Sequence, residues 1–246
     1  MSSQLSSQHE RHVALPVQVD ELLVSALGPS PAAAQVLDCG GGTGRFAVPL
    51  AVAGAGVTVL DVSADALATL LRRASEAGVA DRVRAVQGDV EAVADVIGAD
   101  RFDLVLAHGV LAAVDDVAGT FAGIVGAVRA GGVLSLLVDN PVAGVLARAL
   151  VGDLVGAQRE IDALDAKSGG AHAGPDAVLR LCAENGLSVE QQHGLGIFRD
   201  LVPGQALDQP GARDALAQLE AACAQRSPFA QIAARVHVLA RRTSGA

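Results

Sequence analysis

Two hydrophobic rhythms alternate along the chain. Short apolar runs occur at 35–38, 57–60, 83–87, 101–107, 129–138, 187–198 and 235–240. Runs of this length, rich in Val and Leu and closed by Gly, Asp or Asn, predict buried strands. Between them lie stretches whose apolar residues recur at helical spacing. In the one that begins at Ser63, for example, Leu67, Leu70, Leu71 and Ala74 fall on a single face. Helices are expected on the same basis at 13–27, 45–53, 63–78, 91–97, 115–128 and 213–226. A further helix is framed by Pro175, suited to a first helical position, and Gly186, suited to a stop. Strand and helix taking turns in this way predict an α/β protein built on a mostly parallel sheet.

The alternation pauses from 139 to 174. Asn140-Pro141 closes the fifth run, two helical stretches follow at 142–150 and 153–166, and Ser168-Gly169-Gly170 loosens the end. An insertion directly after a sheet strand, at the carboxyl edge, is where a lid over a substrate belongs. Residues 1–12 and 243–246 are expected to be mobile tails. With 246 residues and 51% hydrophobic content, the whole of 1–246 reads as one domain.

The candidate chemistry starts at 35–50, QVLDCGGGTGRFAVPL, where a strand runs through a glycine cluster into a helix. That order brings a nucleotide-like ligand to a helix N-terminus, and Gly40, Gly42 and Gly44 let it approach the backbone. A dinucleotide fingerprint would place its third glycine at position 45, which is Arg45. NAD and FAD are therefore disfavoured. Asp61 closes the second strand, where a carboxylate can accept both hydrogens of a ribose diol, while Ser63 is left to cap the next helix. In Gly88-Asp89-Val90 the acid can accept from an adenine amino group, with the Val90 N–H meeting the ring edge. Asp89 can equally cap the short helix that follows, and the two roles are compatible.

Composition narrows the class. The N-terminal MSSQLSSQHERH has no apolar signal core, and the longest uncharged apolar stretch, 47–60, falls short of the about 20 residues a membrane span needs. A soluble, cytoplasmic protein is expected. Cys39, Cys182 and Cys223 lie far apart without a C-x-x-C pair, so neither a disulfide framework nor a metal site is implied. A net charge of −9, one lysine against 17 arginines, and the absence of Trp and Tyr make a general nucleic-acid surface a poor expectation. Strand periodicity puts Arg235 and His237 on one face of the last strand, where a charged pair in a sheet interior wants a partner or a ligand. With Arg199, to which the sixth strand carries the chain, they are candidates for an anionic acceptor group under the 139–174 lid. The alternative is structural, with Arg235 paired to an acid such as Asp200 and His237 a satisfied core histidine.

An acid two residues before G-x-G-x-G (Asp38, Gly40, Gly42, Gly44), then Asp61, the Gly88-Asp89-Val90 loop, FDLVLAHGVL from Phe102, and Gly131-Gly132 before the fifth strand resemble the ordered motifs of class I S-adenosylmethionine-dependent methyltransferases. The remainder, with IFRDL from Ile197 and ARVHVLARR from Ala234, is similar to the tRNA 5-carboxymethoxyuridine carboxyl methyltransferase group. Ala130 stands where the family usually has proline, Phe229 and Leu201 where that group has tyrosines, and acids outnumber the basic residues of the insert. The resemblance implies a seven-stranded Rossmann-like sheet of order 3-2-1-4-5-7-6, strand seven antiparallel, with helices on both faces. It implies S-adenosylmethionine as cofactor, held by Arg11, Asp38, Gly40, Gly42, Gly44, Asp61, Val62, Asp89, Val90 and His108. The implied reaction is methyl transfer to a small molecule or a modified tRNA uridine. No general base stands out, since His108, His172 and His193 read as surface or structural groups, and a carboxylate acceptor needs none. A binding protein for the cofactor without catalysis is the competing expectation.

Overall fold

The computed structural model describes residues 17–167 and 174–243. Seven strands form one sheet: β1 (Gln35–Cys39), β2 (Gly56–Asp61), β3 (Val83–Gln87), β4 (Phe102–His108), β5 (Val128–Asp139), β6 (Leu187–Leu195) and β7 (Arg235–Arg242). Their order is β3-β2-β1-β4-β5-β7-β6, with the first five parallel and β7 antiparallel to both its neighbours. The expected topology is borne out strand for strand.

Helices α1 (Val17–Ala26), α2 (Ala47–Val52), α3 (Ala64–Glu76), α4 (Val93–Ile97), α5 (Val117–Ala127), α6 (Pro141–Leu150), α7 (Leu154–Lys167), α8 (Pro175–Glu184) and α9 (Ala212–Cys223) complete the described elements. Alternate residues of each central strand feed two separate cores, as the two-residue strand period requires. Val36, Leu104 and Leu106 join Leu23, Leu50 and Leu70 of α1, α2 and α3 on one face. Leu37, Val105 and Ala107 join Val93, Phe121 and Val178 of α4, α5 and α8 on the other. Ser63 caps α3 by accepting from the Ala66 N–H, as its position in the sequence requires.

Several boundaries differ from the sequence reading by a few residues, and two of them shape the site. Helix α2 begins at Ala47 rather than 45, because Arg45 and Phe46 still belong to the glycine turn. Strand β6 stops at Leu195 instead of 198: Gly196 has φ +70°, and the amides after it leave the ladder for the Glu220 carboxylate. Arg199 is therefore in a turn beyond the strand. After β5 a helical hairpin, α6 and α7, occupies the expected insertion. Asn140 anchors it, capping α6 through the Val142 N–H while its amide group donates to the carbonyls of Gln231 and Ala233. The expected tail 1–12, residues 13–16, where the first helix was expected to begin, Ser168-Gly169-Gly170 with His172, and 244–246 of the expected tail 243–246 lie outside the described residues; Thr243 itself is hydrogen-bonded to the Gly186 carbonyl.

Candidate active site

The glycine turn sits between β1 and α2 at the carboxyl edge of the sheet, with Gly40, Gly42 and Gly44 all at positive φ. Its shape is enforced from below. A Cβ on Gly41 would lie 2.5 Å from Asp38 Oδ2 and 2.8 Å from Val59 Cγ1, so a side chain there must displace buried atoms. Asp38 is 2% exposed and its Oδ2 has no hydrogen-bond partner among the described residues. Burial, reinforced by the charge of Asp61, pushes its carboxyl up to about 7. The neighbouring Cys39 thiol is pushed up as well, first by burial and then by Asp38.

Asp61, at the end of β2, faces the same turn. Its Oδ2 accepts the Gly42 N–H at 2.8 Å and its Oδ1 accepts the Ser63 N–H at 2.9 Å. Each oxygen keeps a lone pair for a further donor. One strand over, Asp89 caps the short turn after β3 through the Glu91 N–H, Val90 is buried and Val62 is 63% exposed. The capping role foreseen for Asp89 is thus present, and its other oxygen stays available. Glu91 in turn holds the loop after β4 by accepting from the N–H groups of Asp115 and Asp116.

Arg45, which occupies the third-glycine position of a dinucleotide turn, makes a two-pronged ion pair with Asp20 at 3.1 and 3.0 Å. That pair ties α1 to the glycine turn. Arg11, expected further back on the same segment, lies outside the described residues.

On the face covered by α1 and α2, the edge of the sheet carries a row of histidines that only strand register could reveal. His108, Leu137, His237 and His193 are successive partners across β4, β5, β7 and β6. The Ser135 hydroxyl lies 2.8 Å from Nε2 of both His108 and His237, and Gln225 Nε2 lies 2.6 Å from His193 Nε2. Phe46 meets the His108 ring edge-on at 4.6 Å between centroids. His237 is fully enclosed, and burial, then the proximity of His193, pulls it down to about 4. His108 is held well below its ordinary range by burial, by His237 and by the positive charge of Arg235. These imidazoles are neutral at pH 7.

Two register steps toward the edge, Arg235 lies between Asp139 of β5 and Leu195 of β6. It is half-buried and shares the face of His237, as the alternation predicts; its neighbour in register is Asp139 rather than Asp200. Arg199 is exposed in the turn after β6. So Arg235 and the histidine row come together, His237 beneath the surface and Arg199 on the adjoining turn. Ser135, Phe46, Glu91 and Glu220 were missed by sequence reasoning. A lone hydroxyl in the apolar run of β5 was the only signal for Ser135.

Residues 36–132 match the model of a family described as a methyltransferase domain. The chain is 28% identical over 222 residues to a tRNA 5-carboxymethoxyuridine methyltransferase of Escherichia coli (strain K12), covering 89% of this chain and 84% of the relative. A shorter likeness, 38% identical over 103 residues and covering 40% of this chain and 34% of the relative, links it to a release factor glutamine methyltransferase of Chlorobaculum tepidum. Among solved structures, a geranyl diphosphate methyltransferase in complex with SAM superposes with a TM-score of 0.59 at 19% identity, covering 92% of this chain and 85% of that one. An S-adenosylmethionine dependent methyltransferase from Mesorhizobium loti gives 0.56 at 21% identity, over 90% and 96% of the two chains. With a methyltransferase domain at residues 36–132 and its glycine turn, strand-end acids and sheet order all in place, the chain is an S-adenosylmethionine-dependent methyltransferase.

Proposed function

We propose that the adenosine of S-adenosylmethionine lies across the glycine turn, its ribose on Asp61, its adenine between Val62 and Val90 with Asp89 at the amino group, and its methionine end toward Asp38, Arg11 and His108. Three features support this fit. Asp61 ends β2 and Asp89 follows the adjacent parallel β3; among the described residues, Asp38 holds a buried oxygen without a partner, and a Cβ at Gly42 would meet only Asp61 within 4 Å, which leaves the turn open to a ligand. When bound, the cofactor supplies a methyl group on a positively charged sulfur, already electrophilic. The protein's task is to align an acceptor and exclude water.

The acceptor we assign is a carboxylate oxygen. The single observation behind this is Arg235, a half-buried guanidinium at the sheet edge close enough to depress His108 and flanked by the turn that bears Arg199. Two guanidinium forks can orient a carboxylate, and a carboxylate already carries the electron pair that attacks, so no base is required. His237 acts from beneath, fixing His108 through Ser135. The neutral row keeps a further positive charge away from the sulfonium.

Of carboxylate acceptors, the 5-carboxymethoxy group of a tRNA uridine is the first choice, because relatives alike over 89% of this chain are named for it. A small-molecule carboxylate is the second, favoured by the net charge of −9. Methyl-labelled cofactor, offered with tRNA carrying 5-carboxymethoxyuridine and separately with a small-molecule extract, tests both. Label should enter the tRNA and be released by mild alkali, as a methyl ester is. Alkali-stable label in either fraction would overturn the carboxylate assignment.

A further inference from the structure

The turn that carries Arg199 is built around a buried anion. Glu220, near the end of α9 and only 8% exposed, accepts three consecutive backbone N–H groups: Ile197 on Oε2 at 2.8 Å, Phe198 on Oε1 at 2.8 Å and Arg199 on Oε1 at 3.0 Å. Below it Ile197, Cys223 and Ala233 form a small apolar cluster of their own, so the carboxylate sits on a packed floor. Beyond it the chain tightens again, with the N–H groups of Leu201 and Val202 both reaching the Phe198 carbonyl at 2.9 Å.

Burying a carboxylate costs several kilocalories unless its oxygens are satisfied, and an apolar residue on α9 would pack against the same cluster without that cost. An anion gives something else. Three successive amides drawn to one carboxylate fix three peptide planes, and with them the direction in which the Arg199 side chain leaves the backbone. The segment is also tied to the sheet edge, since the Ala234 N–H donates to the Gly196 carbonyl and the Asn140 N–H to the Ala234 carbonyl. The Glu220 carboxylate thus holds the Arg199 turn, and backbone hydrogen bonds link that turn to the start of β7 and the root of the helical hairpin.

We propose that Glu220 is a positioning residue for the acceptor, aiming Arg199 at the carboxylate by holding the amides of Ile197, Phe198 and Arg199. This role rests on the reading of Arg199 as an acceptor contact. Glu220→Gln tests it, because the amide keeps one acceptor oxygen and turns its NH₂ toward a backbone N–H. The expected result, with tRNA carrying 5-carboxymethoxyuridine as acceptor, is an acceptor KM raised about tenfold and a cofactor Kd within about twofold of wild type. Hydrogen exchange at the amides of 197–199 should quicken in the same variant. The deciding measurement is the cycle with Arg199→Ala. If Glu220 acts through Arg199, Glu220→Gln adds nothing to KM once Arg199 is gone, whereas a purely structural role multiplies the two effects. Should Glu220→Gln not fold, Glu220→Asp, which withdraws the anion by one methylene, serves in the same cycle. A normal KM in the position-220 variant beside a raised KM in Arg199→Ala overturns the positioning role alone. Alkali-labile label in neither the tRNA nor the small-molecule extract with the wild-type enzyme, or a normal acceptor KM in Arg199→Ala, overturns the acceptor reading and this role with it.

Discussion

Asp61 Oδ2 and the Gly42 N–H are 2.8 Å apart, so the acid that ends β2 is also a strut of the glycine turn after β1. Removing the carboxylate therefore slackens the turn and, on the proposed cofactor placement, also unpairs the ribose diol. Asp61→Ala is expected to weaken S-adenosylhomocysteine binding by about 1–3 kcal/mol in calorimetry, with the protein still folded. Wild-type affinity in that variant would remove Asp61 from the cofactor site.

Gly41→Ala examines the turn from below. Its Cβ would press on the buried Asp38 carboxyl at 2.5 Å and on Val59 at 2.8 Å, atoms that have nowhere to go. The turn must rise into the ligand space, at a cost of about 1–3 kcal/mol. Thermal melts should show the loss, and the stabilisation by added S-adenosylhomocysteine should shrink. A variant that melts and binds as wild type does would mean that the turn yields freely.

Arg235→Ala addresses the acceptor. On the proposed role, in which this half-buried guanidinium orients the acceptor carboxylate, its loss should cost about 2–4 kcal/mol in kcat/KM while cofactor affinity stays unchanged. The opposite pattern, lower stability with full turnover in the surviving enzyme, would make the arginine a partner of a nearby acid such as Asp139.

The histidine row predicts a pH response of stability. His237 is pulled from 6.5 down to about 4 in the folded protein, so between those values the unfolded chain binds more protons. Its contribution is complete above pH 6.5 and is lost as pH falls toward 4, amounting to about 3 kcal/mol. Asp38 works in the other direction: raised to about 7, it withdraws stability as pH climbs from about 4 through 7. Urea denaturation across this range should show a shallower acid limb for His237→Gln than for wild type. Equal limbs in both proteins would show that His237 is not the titrating group.

What the sequence disclosed was local, and what it withheld was register. Asp38, Gly40, Gly42 and Gly44 lie within one turn, and Asp61 and Asp89 each sit at the foreseeable end of an apolar run, so spacing alone could place them. The Ser135 to His237 contact spans 102 residues and exists only because β7 enters beside β5 in one particular register. The end of β6 was misplaced for a similar reason. Nothing in Ile197-Phe198-Arg199 announces that their amides turn to Glu220 on another element. The face shared by Arg235 and His237 was readable, because strand alternation is local, but which of the two reaches the surface depended on the neighbouring strands.

The strand order carries a consequence for synthesis. β5 and β6 do not touch as ladder partners; β7 separates them and bonds to both. The half of the sheet that bears the glycine turn can close early: β1, β2 and β3 pair only within residues 35–108, and β4 needs only β5 beyond them. The other half must wait until Arg242 has emerged. During translation, then, the edges of β5 and β6 stand open, exposed to mispairing until the strand bearing Arg235 and His237 slots between them.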